Sequence, residues 1–244
     1  MRFRALATDY DGTIARDGIV DDATVTALCR VRDSGRKLIL VTGRELPGLF
    51  NTFAHWKIFD VIVAENGAVL YEPAMGTIQP LAEPTPPALV AALQHAKVPL
   101  SVGHTVVATV LPYEHVVLRA IHDQRLDWHI ILNKASVTAL PSGVDKATGL
   151  AAALRKLAIA PRDVVGVGDA ENDEVFLKSC GLAVAVANAL DELKAQVNLT
   201  TTGEDGDGVQ ELIERLVTGE LDRFALSAPS EARESADRSR MPPG

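Results

Sequence analysis

Acidic side chains follow two apolar segments that have the composition of buried strands. The run from Phe3 to Thr8 leads into Asp9 and Asp11, and a much later apolar run leads into Asp169 and Asp173. In open α/β sheets a ligand lies beyond the carboxyl ends of the strands, so these side chains are expected at one edge. Four anions packed together repel one another, and a cation is needed to neutralise them. Hard oxygen donors without Cys or His favour Mg²⁺ over zinc.

Such a carboxylate cluster with Mg²⁺ can hold the oxygens of a phosphate group. One carboxylate of the cluster can also attack phosphorus and form an aspartyl-phosphate. The pattern therefore predicts phosphoryl-transfer chemistry.

One hydroxyl residue, Thr42, is expected at the same edge of the sheet as the carboxylates. Thr42 ends another apolar run and is followed by Gly43 and Arg44, while Lys146 begins a helical segment. Each has an ordinary alternative: a strand-to-helix turn for Thr42 and Gly43, and an exposed residue at a helix start for Arg44 and Lys146. Asn66, in Glu65-Asn66-Gly67, has the ordinary interpretation of a turn residue that tolerates a left-handed backbone.

Strands that alternate with helices determine the predicted fold class. The strands are continuously apolar rather than alternating, which indicates an α/β fold with a doubly wound parallel sheet covered on both faces. After Glu65-Asn66-Gly67 a hairpin and a proline cluster interrupt the pattern, and helix, strand, strand, helix, strand, strand follow. We predict a discontinuous core (1–80 plus 141–225), a small inserted α+β domain (81–140), and a disordered tail or linker (226–244).

Helical periodicity resumes after the insertion. Helices are predicted over Asp145–Leu157, Glu171–Lys178 and Val209–Val217. The first of them places Lys146 in its first turn.

Bulk properties exclude several classes of protein. With 244 residues, a net charge of −8 and a pI near 5.3, the chain lacks the basic surface of a general nucleic-acid binder. No apolar stretch is long enough to span a membrane, and Asp9 comes too early for a signal peptide. Cys29 and Cys180 are far apart and lack metal-ligand spacing, as expected for thiols in a reducing compartment. We predict a cytoplasmic protein and leave its oligomeric state open.

Four motifs together resemble the haloacid dehalogenase-like superfamily. They are Asp9-Tyr10-Asp11-Gly12-Thr13, Thr42-Gly43-Arg44, Lys146, and Gly168-Asp169-Ala170-Glu171-Asn172-Asp173. They occur in the order and at the spacing of that superfamily, and the resemblance covers roughly residues 3 to 217. It implies a Rossmann-like core and a Mg²⁺-dependent phosphomonoester hydrolase that works through an aspartyl-phosphate.

The resemblance also implies a role for each matching residue. Asp9 would be the nucleophile and a metal ligand. Asp11 would be the general acid and base, with its backbone carbonyl on the metal. Asp169 and Asp173 would complete the metal site, directly or through water, with help from Asn172.

The remaining matches would bind the substrate. Thr42 and the Gly43 amide would hold the phosphoryl group, and Lys146 would neutralise the charge of the nucleophile and of the phosphate. Arg44 is a candidate for reaching the substrate, and Asn66 matches the hinge motif of the family.

The position of the insertion narrows the resemblance to a few groups within the superfamily. It falls between Thr42 and Lys146, which is similar to Cof-type sugar phosphatases, sucrose-phosphatase-like proteins and phosphoglycolate phosphatases, whose cap follows the third core strand. The implied substrate is a small phosphorylated metabolite, either a sugar phosphate or a phosphoglycolate-like acid. Two alternatives stay open: a phosphomannomutase-like phosphotransferase, and a module of a longer multidomain protein.

The predicted cap is rich in histidine. It holds five of the six histidines, whose irregular spacing favours surface or hydrogen-bonded side chains over a metal site: His95, His104, His115, His122 and His129. Specificity is expected to reside in the cap, but the sequence does not show which of its side chains set it.

Overall fold

The computed structural model describes residues 2–133 and 135–223. Its first part contains the elements β1 (Ala5–Thr8), α1 (Asp22–Asp33), β2 (Lys37–Val41), α2 (Leu46–Thr52), β3 (Val61–Ala64), β4 (Val69–Glu72) and β5 (Thr77–Pro80). The middle part contains α3 (Pro87–His95), β6 (Ser101–Val102), β7 (Val107–Val110), α4 (Glu114–Asp123), β8 (Trp128–Asn133) and β9 (Ser136–Pro141). The last part contains α5 (Lys146–Leu157), β10 (Val164–Gly168), α6 (Glu174–Ser179), β11 (Leu182–Ala185), α7 (Asp191–Lys194), β12 (Leu199–Thr200) and α8 (Asp205–Val217). The predicted tail, 226–244, lies outside the described residues.

Two sheets organise these elements. The main sheet has eight strands in the order β12-β11-β10-β1-β2-β3-β4-β5, and the second sheet has four in the order β6-β7-β9-β8. Pairing is parallel from β12 to β3, whereas β4 and β5 join antiparallel. The predicted α/β class is confirmed, with the difference that the hairpin after β3 extends the main sheet and makes it mixed.

The central strands owe their position to continuous apolar sequence. All residues of β1, β3 and β10 are buried, because helices cover both faces of the sheet. The flanking helices start at defined caps: the Asp21 side chain accepts from the Thr24 amide at 2.6 Å before α1. At α5, Asp145 and Thr148 form a reciprocal capping box, and this fixes Lys146 as the first helical residue.

The second sheet separates its two faces by the period of two of a β-strand. Val107, Ile130 and Ala139 pack on one side against α3 and α4 in an apolar cluster. Their neighbours Ala108, Ile131 and Thr138 line a cavity on the other side. The second sheet is antiparallel and has helices on one face, and its open face is turned towards the main sheet.

Two predicted helices differ in their bounds. The segment predicted as Glu171–Lys178 begins as a 3-10 turn, Glu171–Asp173, before α6. The turn forms because the Asp173 side chain bends back to accept from the amides of Asp169 and Ala170.

The last helix starts earlier than the apolar pattern indicates. α8 begins at Asp205, ahead of Val209, although its first turn contains two glycines that disfavour helix. Gly206 is needed there because a Cβ would lie 2.3 Å from Oγ1 of Thr24 in α1. Close packing of the two helices thus outweighs local propensity.

In the described part of the chain, none of the helices has the length and apolar character that crossing a membrane requires.

Candidate active site

The carboxyl ends of β1 and β10 bring three buried carboxylates together. Asp9 extends β1, its amide donating to the Val167 carbonyl at 3.0 Å, and Asp169 follows β10 directly. Asp9, Asp169 and Asp173 each offer an oxygen within 4.8 Å of the others, and each is at most 4% exposed. Adjacent parallel strands therefore place residues that are far apart in sequence at one edge of the sheet.

Lys146 lies inside this cluster. Its Nζ donates to Oδ1 of Asp9 and to Oδ1 of Asp173, both at 2.6 Å, and the side chain is only 2% exposed. Burial acts to lower the pKa of Lys146, but the charges of Asp173 and Asp9 outweigh burial and raise it above the usual value. The ammonium therefore stays charged and neutralises part of the cluster.

Asp173 is held by the protein through both oxygens. Oδ1 accepts from Lys146, while Oδ2 accepts from the amides of Asp169 and Ala170 at 2.9 and 3.0 Å. Gly168 makes room for it, because a Cβ there would lie 2.7 Å from the Asp173 side chain. Asp173 thereby orients both Lys146 and the turn that carries Asp169.

The cluster fits a cation. Burial, and then repulsion from Asp173 and Asp169, raises the pKa of Asp9 well above its ordinary range, although Lys146 acts in the opposite direction. One lysine faces three carboxylates, so a hard divalent cation would balance the charge, and the donors are all oxygen. Among the described residues these three aspartates are the group with metal-ligand geometry.

Gly12 makes close approach to the cluster possible. Its φ of +84° is in the left-handed region, and a Cβ there would lie 2.3 Å from Oδ2 of Asp169. Oδ1 of Asp169 accepts from the Thr13 hydroxyl at 3.0 Å. The turn after β1 therefore packs directly on the turn after β10.

Thr42 and Gly43 lie at the end of β2, beside these turns. The Thr42 amide donates to the Val63 carbonyl at 2.8 Å, and Thr42 Oγ1 accepts from the Arg44 amide at 3.1 Å. Thr42 is 1% exposed, whereas Gly43 lines the cavity.

Arg44 contacts Asp11 rather than standing free in the cavity. Its Nε and Nη2 donate to the two carboxylate oxygens of Asp11 at 2.7 and 2.6 Å. The hydrogen bond to Asp11 is the main reason that the pKa of Arg44 is raised. The structure therefore couples the predicted substrate residue Arg44 to the predicted acid Asp11.

Asn66 and Asn172 meet across the site. Nδ2 of Asn172 donates to Oδ1 of Asn66 at 3.2 Å, and no described residue donates to the buried Oδ1 of Asn172. Asn66 has a left-handed backbone, with φ of 54° and ψ of 33°. The turn interpretation of Asn66 is thus compatible with its contact to the site.

The two sheets enclose a cavity of ≈ 730 Å³, a size typical of small-molecule sites. Its floor includes Asp9, Asp11 and Lys146 from the core, and its roof includes Ser101, Asn133 and Ser136 from the second sheet. None of the five cap histidines is among the lining residues. His104 instead contacts Glu65, with Nδ1 3.2 Å from Oε1.

Sequence reasoning missed three residues near the site: Asn188, Asp205 and Glu65. Asn188 donates to the Gly12 carbonyl at 2.8 Å and accepts from the Asp205 amide at 2.7 Å. Asn188 follows β11 closely, so the strand-end rule that identifies Asp9 could have found it. The third residue is Glu65, whose fully buried carboxylate has partners in a distant segment that no local pattern reveals.

The model of the haloacid dehalogenase-like hydrolase family matches residues 6–112 and 128–213. The chain belongs to the haloacid dehalogenase-like hydrolase family. A phosphoglycolate phosphatase from Methanothermobacter thermautotrophicus is 30% identical over 222 residues, which cover 88% of this chain and 99% of the relative.

Solved structures share the fold of this haloacid dehalogenase-like protein. A haloacid dehalogenase-like hydrolase from Bacteroides thetaiotaomicron superposes with a TM-score of 0.75 at 18% identity, covering 88% of this chain and 99% of that one. A subclass IIB sugar phosphatase of the superfamily gives a TM-score of 0.71 at 18% identity, over 87% and 98% of the two chains. The predicted family is confirmed, and the named relatives indicate a phosphatase.

Proposed function

We propose that this haloacid dehalogenase-like protein is a Mg²⁺-dependent phosphomonoester hydrolase that forms an aspartyl-phosphate on Asp9. The observation that carries the proposal is the buried cluster of Asp9, Asp169, Asp173 and Lys146 at the floor of the cavity. Such a cluster is costly to bury unless it binds a charged ligand.

Asp9 is the proposed nucleophile. Its carboxylate lies at the cavity floor, where an oxygen can attack phosphorus in line with the leaving group. The P–O bond to the leaving group breaks as the bond to Asp9 forms, and water then hydrolyses the aspartyl-phosphate to release inorganic phosphate.

Asp11 is the proposed proton carrier. In the first step it donates a proton to the leaving oxygen, and in the second it accepts one from the attacking water. It lines the cavity two residues beyond Asp9, and its side chain is 42% exposed, so it is open to substrate and solvent. The two hydrogen bonds from Arg44 hold the Asp11 carboxylate in place.

Asp9, the Asp11 carbonyl and Asp169 would hold Mg²⁺, which supplies charge neutralisation for the phosphoryl oxygens when bound. Asp173, predicted from the sequence as a further ligand, has both oxygens engaged by Lys146 and by backbone amides. We assign it to the outer shell of the site, where it orients Lys146 and the Asp169 turn.

Thr42, Gly43 and Lys146 would bind the transferring phosphoryl group. Lys146 acts as a point charge, and Gly43 lines the cavity; a Cβ on Gly43 would lie 3.1 Å from Oδ1 of Asn66. The buried Oδ1 of Asn172, to which none of the described residues donates, lies at this cavity and suits a bound water or a hydroxyl donor.

The second sheet would act as the cap that selects the leaving group. Among its cavity-lining residues Ser101, Asn133, Ser136 and Thr138 are neutral and polar, which suits a hydroxylated or small acidic leaving group. The relative from M. thermautotrophicus acts on phosphoglycolate, and a structural neighbour is a sugar phosphatase. We propose a small phosphorylated metabolite of one of these two kinds. A cytoplasmic location stays a prediction from the sequence.

A screen of phosphorylated metabolites for Mg²⁺-dependent phosphate release tests the proposal. The wild-type protein should release phosphate from a sugar phosphate or phosphoglycolate, and Asp9→Asn should not. Retention of the activity in Asp9→Asn would disprove the nucleophile assignment. Transfer of phosphate to a second sugar without net release would instead favour the phosphotransferase alternative.

A further inference from the structure

Glu65 has a fully buried carboxylate whose partners all lie in the segment between β6 and β7. Oε1 accepts from the His104 amide at 3.0 Å, and Oε2 accepts from the Thr105 amide at 3.0 Å and the Thr105 hydroxyl at 3.2 Å. The His104 ring nitrogen Nδ1 lies 3.2 Å from Oε1. A buried carboxylate is tolerated only with such hydrogen bonds, so they determine where segment 103–105 lies.

The backbone of Glu65 is attached to the other side of the site. Its amide donates to the Arg44 carbonyl at 3.0 Å, and the next amide, of Asn66, donates to the Thr42 carbonyl at 3.1 Å. Glu65 and Asn66 both have φ of 54°, a strained left-handed conformation for residues with side chains. Strain of this kind persists only where the surroundings hold it in place.

The segment that Glu65 binds leads directly into the roof of the cavity. Val106 and Ala108, which follow it, line the cavity, and Val106 packs on Ala68 of the core. Gly103 contributes its lack of a side chain, because a Cβ there would lie 2.7 Å from the Glu65 carboxylate. One further contact joins the second sheet to the core beside this segment: the Ser101 hydroxyl donates to Oε2 of Glu45 at 2.8 Å.

We propose that Glu65 is a positioning residue that fixes the second sheet over the cavity. Its side chain binds segment 103–105, and its amide binds the carbonyl of Arg44, which follows Thr42 and Gly43, so one residue joins the roof to the phosphate-binding floor. Loss of the carboxylate moves the roof and weakens its contact with the leaving group. The kinetic consequence rests on the proposed function, whereas the structural one does not.

Amide hydrogen exchange of the free protein, measured by NMR, tests the structural part without any substrate. In Glu65→Gln, the amides of His104 and Thr105 should exchange about 10–100 times faster, as expected when hydrogen bonds to a charged acceptor are lost. In Gly103→Ala, the added Cβ collides with the Glu65 carboxylate and should disrupt the same hydrogen bonds, while the backbone at this position is one that alanine can adopt. The amides of His104 and Thr105 should therefore exchange faster in this variant too. The Thr42 amide should keep its wild-type exchange rate in both variants.

A threonine pair supplies the matched control. Thr105→Val removes the hydroxyl that donates to Glu65, while Thr109→Val removes a hydroxyl that donates to the Pro99 carbonyl at 2.6 Å, within the second sheet and its loops. Exchange at 104 and 105 should rise in the first variant and stay unchanged in the second. Wild-type exchange rates at 104 and 105 in both Glu65→Gln and Gly103→Ala would overturn the proposal.

Steady-state kinetics with the substrate found by screening test the positioning role. KM should rise about 5–10-fold in Glu65→Gln and Gly103→Ala because the roof no longer meets the leaving group. A residue needed only for folding would lower the fraction of active protein, and thus kcat, at unchanged KM. That result would overturn the positioning role. An inactive wild-type protein would disprove the proposed function and leave the exchange result to decide on Glu65.

Discussion

Arg44 binds Asp11 with two N–H groups at once: Nε lies 2.7 Å from Oδ2, and Nη2 lies 2.6 Å from Oδ1. The guanidinium carbon also lies 4.7 Å from the ring centroid of Tyr10, and Nη1 donates to the Thr52 hydroxyl at 3.1 Å. A planar group held on three sides fixes the direction of the carboxylate that it binds. The orientation of the proposed acid therefore depends on Arg44.

Arg44→Lys should lower kcat/KM by an amount that depends on the leaving group of the substrate. Lysine keeps the charge but cannot form the two-point contact, so Asp11 loses its orientation. We expect kcat/KM for an alkyl phosphate to fall about 10–100-fold, because its leaving oxygen needs a proton. An aryl phosphate, whose leaving group is stable as an anion, should lose much less. The ratio of the two kcat/KM values is the measurement.

Arg30→Lys is the control for this substitution. Arg30 forms an exposed ion pair with Glu214 at 2.7 Å, and neither residue is among those that line the cavity. In Arg30→Lys, the ratio of kcat/KM for the alkyl phosphate to kcat/KM for the aryl phosphate should match the wild-type ratio. Equal losses for both substrates in Arg44→Lys would show that Arg44 does not act through Asp11.

The raised pKa of Asp9 gives metal-free protein a distinctive pH dependence. The folded state binds the Asp9 proton more tightly than the unfolded state, whose pKa is near 3.8. This stabilisation is fully present below the unfolded pKa and is lost as the pH rises through the raised pKa of the folded state. The free energy of unfolding of wild type relative to Asp9→Asn should therefore fall with rising pH.

Urea unfolding in the presence of a chelator, at several pH values, measures this difference. Saturating Mg²⁺ should flatten the wild-type profile, because the cation stabilises ionised Asp9. A wild-type advantage that grows with pH in chelator would contradict the electrostatic account of the cluster.

Mg²⁺ should stabilise the fold through Asp169. At 100 times its Kd, a ligand that binds only the folded state adds about 2.7 kcal/mol to the free energy of unfolding. Asp169→Asn should lose most of this gain and most of the Mg²⁺-dependent activity. Asp163→Asn, at the opposite end of β10, should keep both. Thermal unfolding with and without Mg²⁺ measures the stabilisation by the cation. Undiminished stabilisation in Asp169→Asn would show that Asp169 does not bind the metal.

Asp173→Asn should destabilise the protein even in chelator. The aspartate accepts hydrogen bonds from Lys146, Asp169 and Ala170, and an amide cannot replace both oxygens as acceptors. A loss of about 1.5–3 kcal/mol is expected for hydrogen bonds to a charged group. Asp191→Asn, whose side chain is 95% exposed, is the control and should unfold like wild type. An unchanged unfolding midpoint would show that the turn does not need Asp173.

Much of the catalytic edge could be predicted because strand ends are local in sequence. Asp9, Thr42 and Asp169 follow apolar runs, and parallel strands bring such ends together whatever the loops do. The same logic extends to Asn188 after β11, which was overlooked because a single Asn carries no motif of its own.

Other features depend on tertiary contacts and leave no local signal. The ion pair of Asp11 with Arg44 joins the turns after two strands, and Glu65 finds its donors in a segment beyond a proline cluster. The early start of α8 likewise follows from packing on Thr24 rather than from helix propensity. Sequence patterns show which residues are near the site, and the fold shows which of them touch.

The two connections between the sheets lie back to back. The Leu81 amide donates to the Ala68 carbonyl at 2.8 Å where the chain leaves the main sheet, and a Cβ on Gly67 would lie 1.8 Å from the Asp145 carbonyl where it returns. Loop-closure entropy grows only slowly with the length of an insertion. An unrelated insert spliced between these same two points should leave Asp9 and Lys146 undisturbed, so this site is suited to grafting new substrate ranges onto an unchanged reaction.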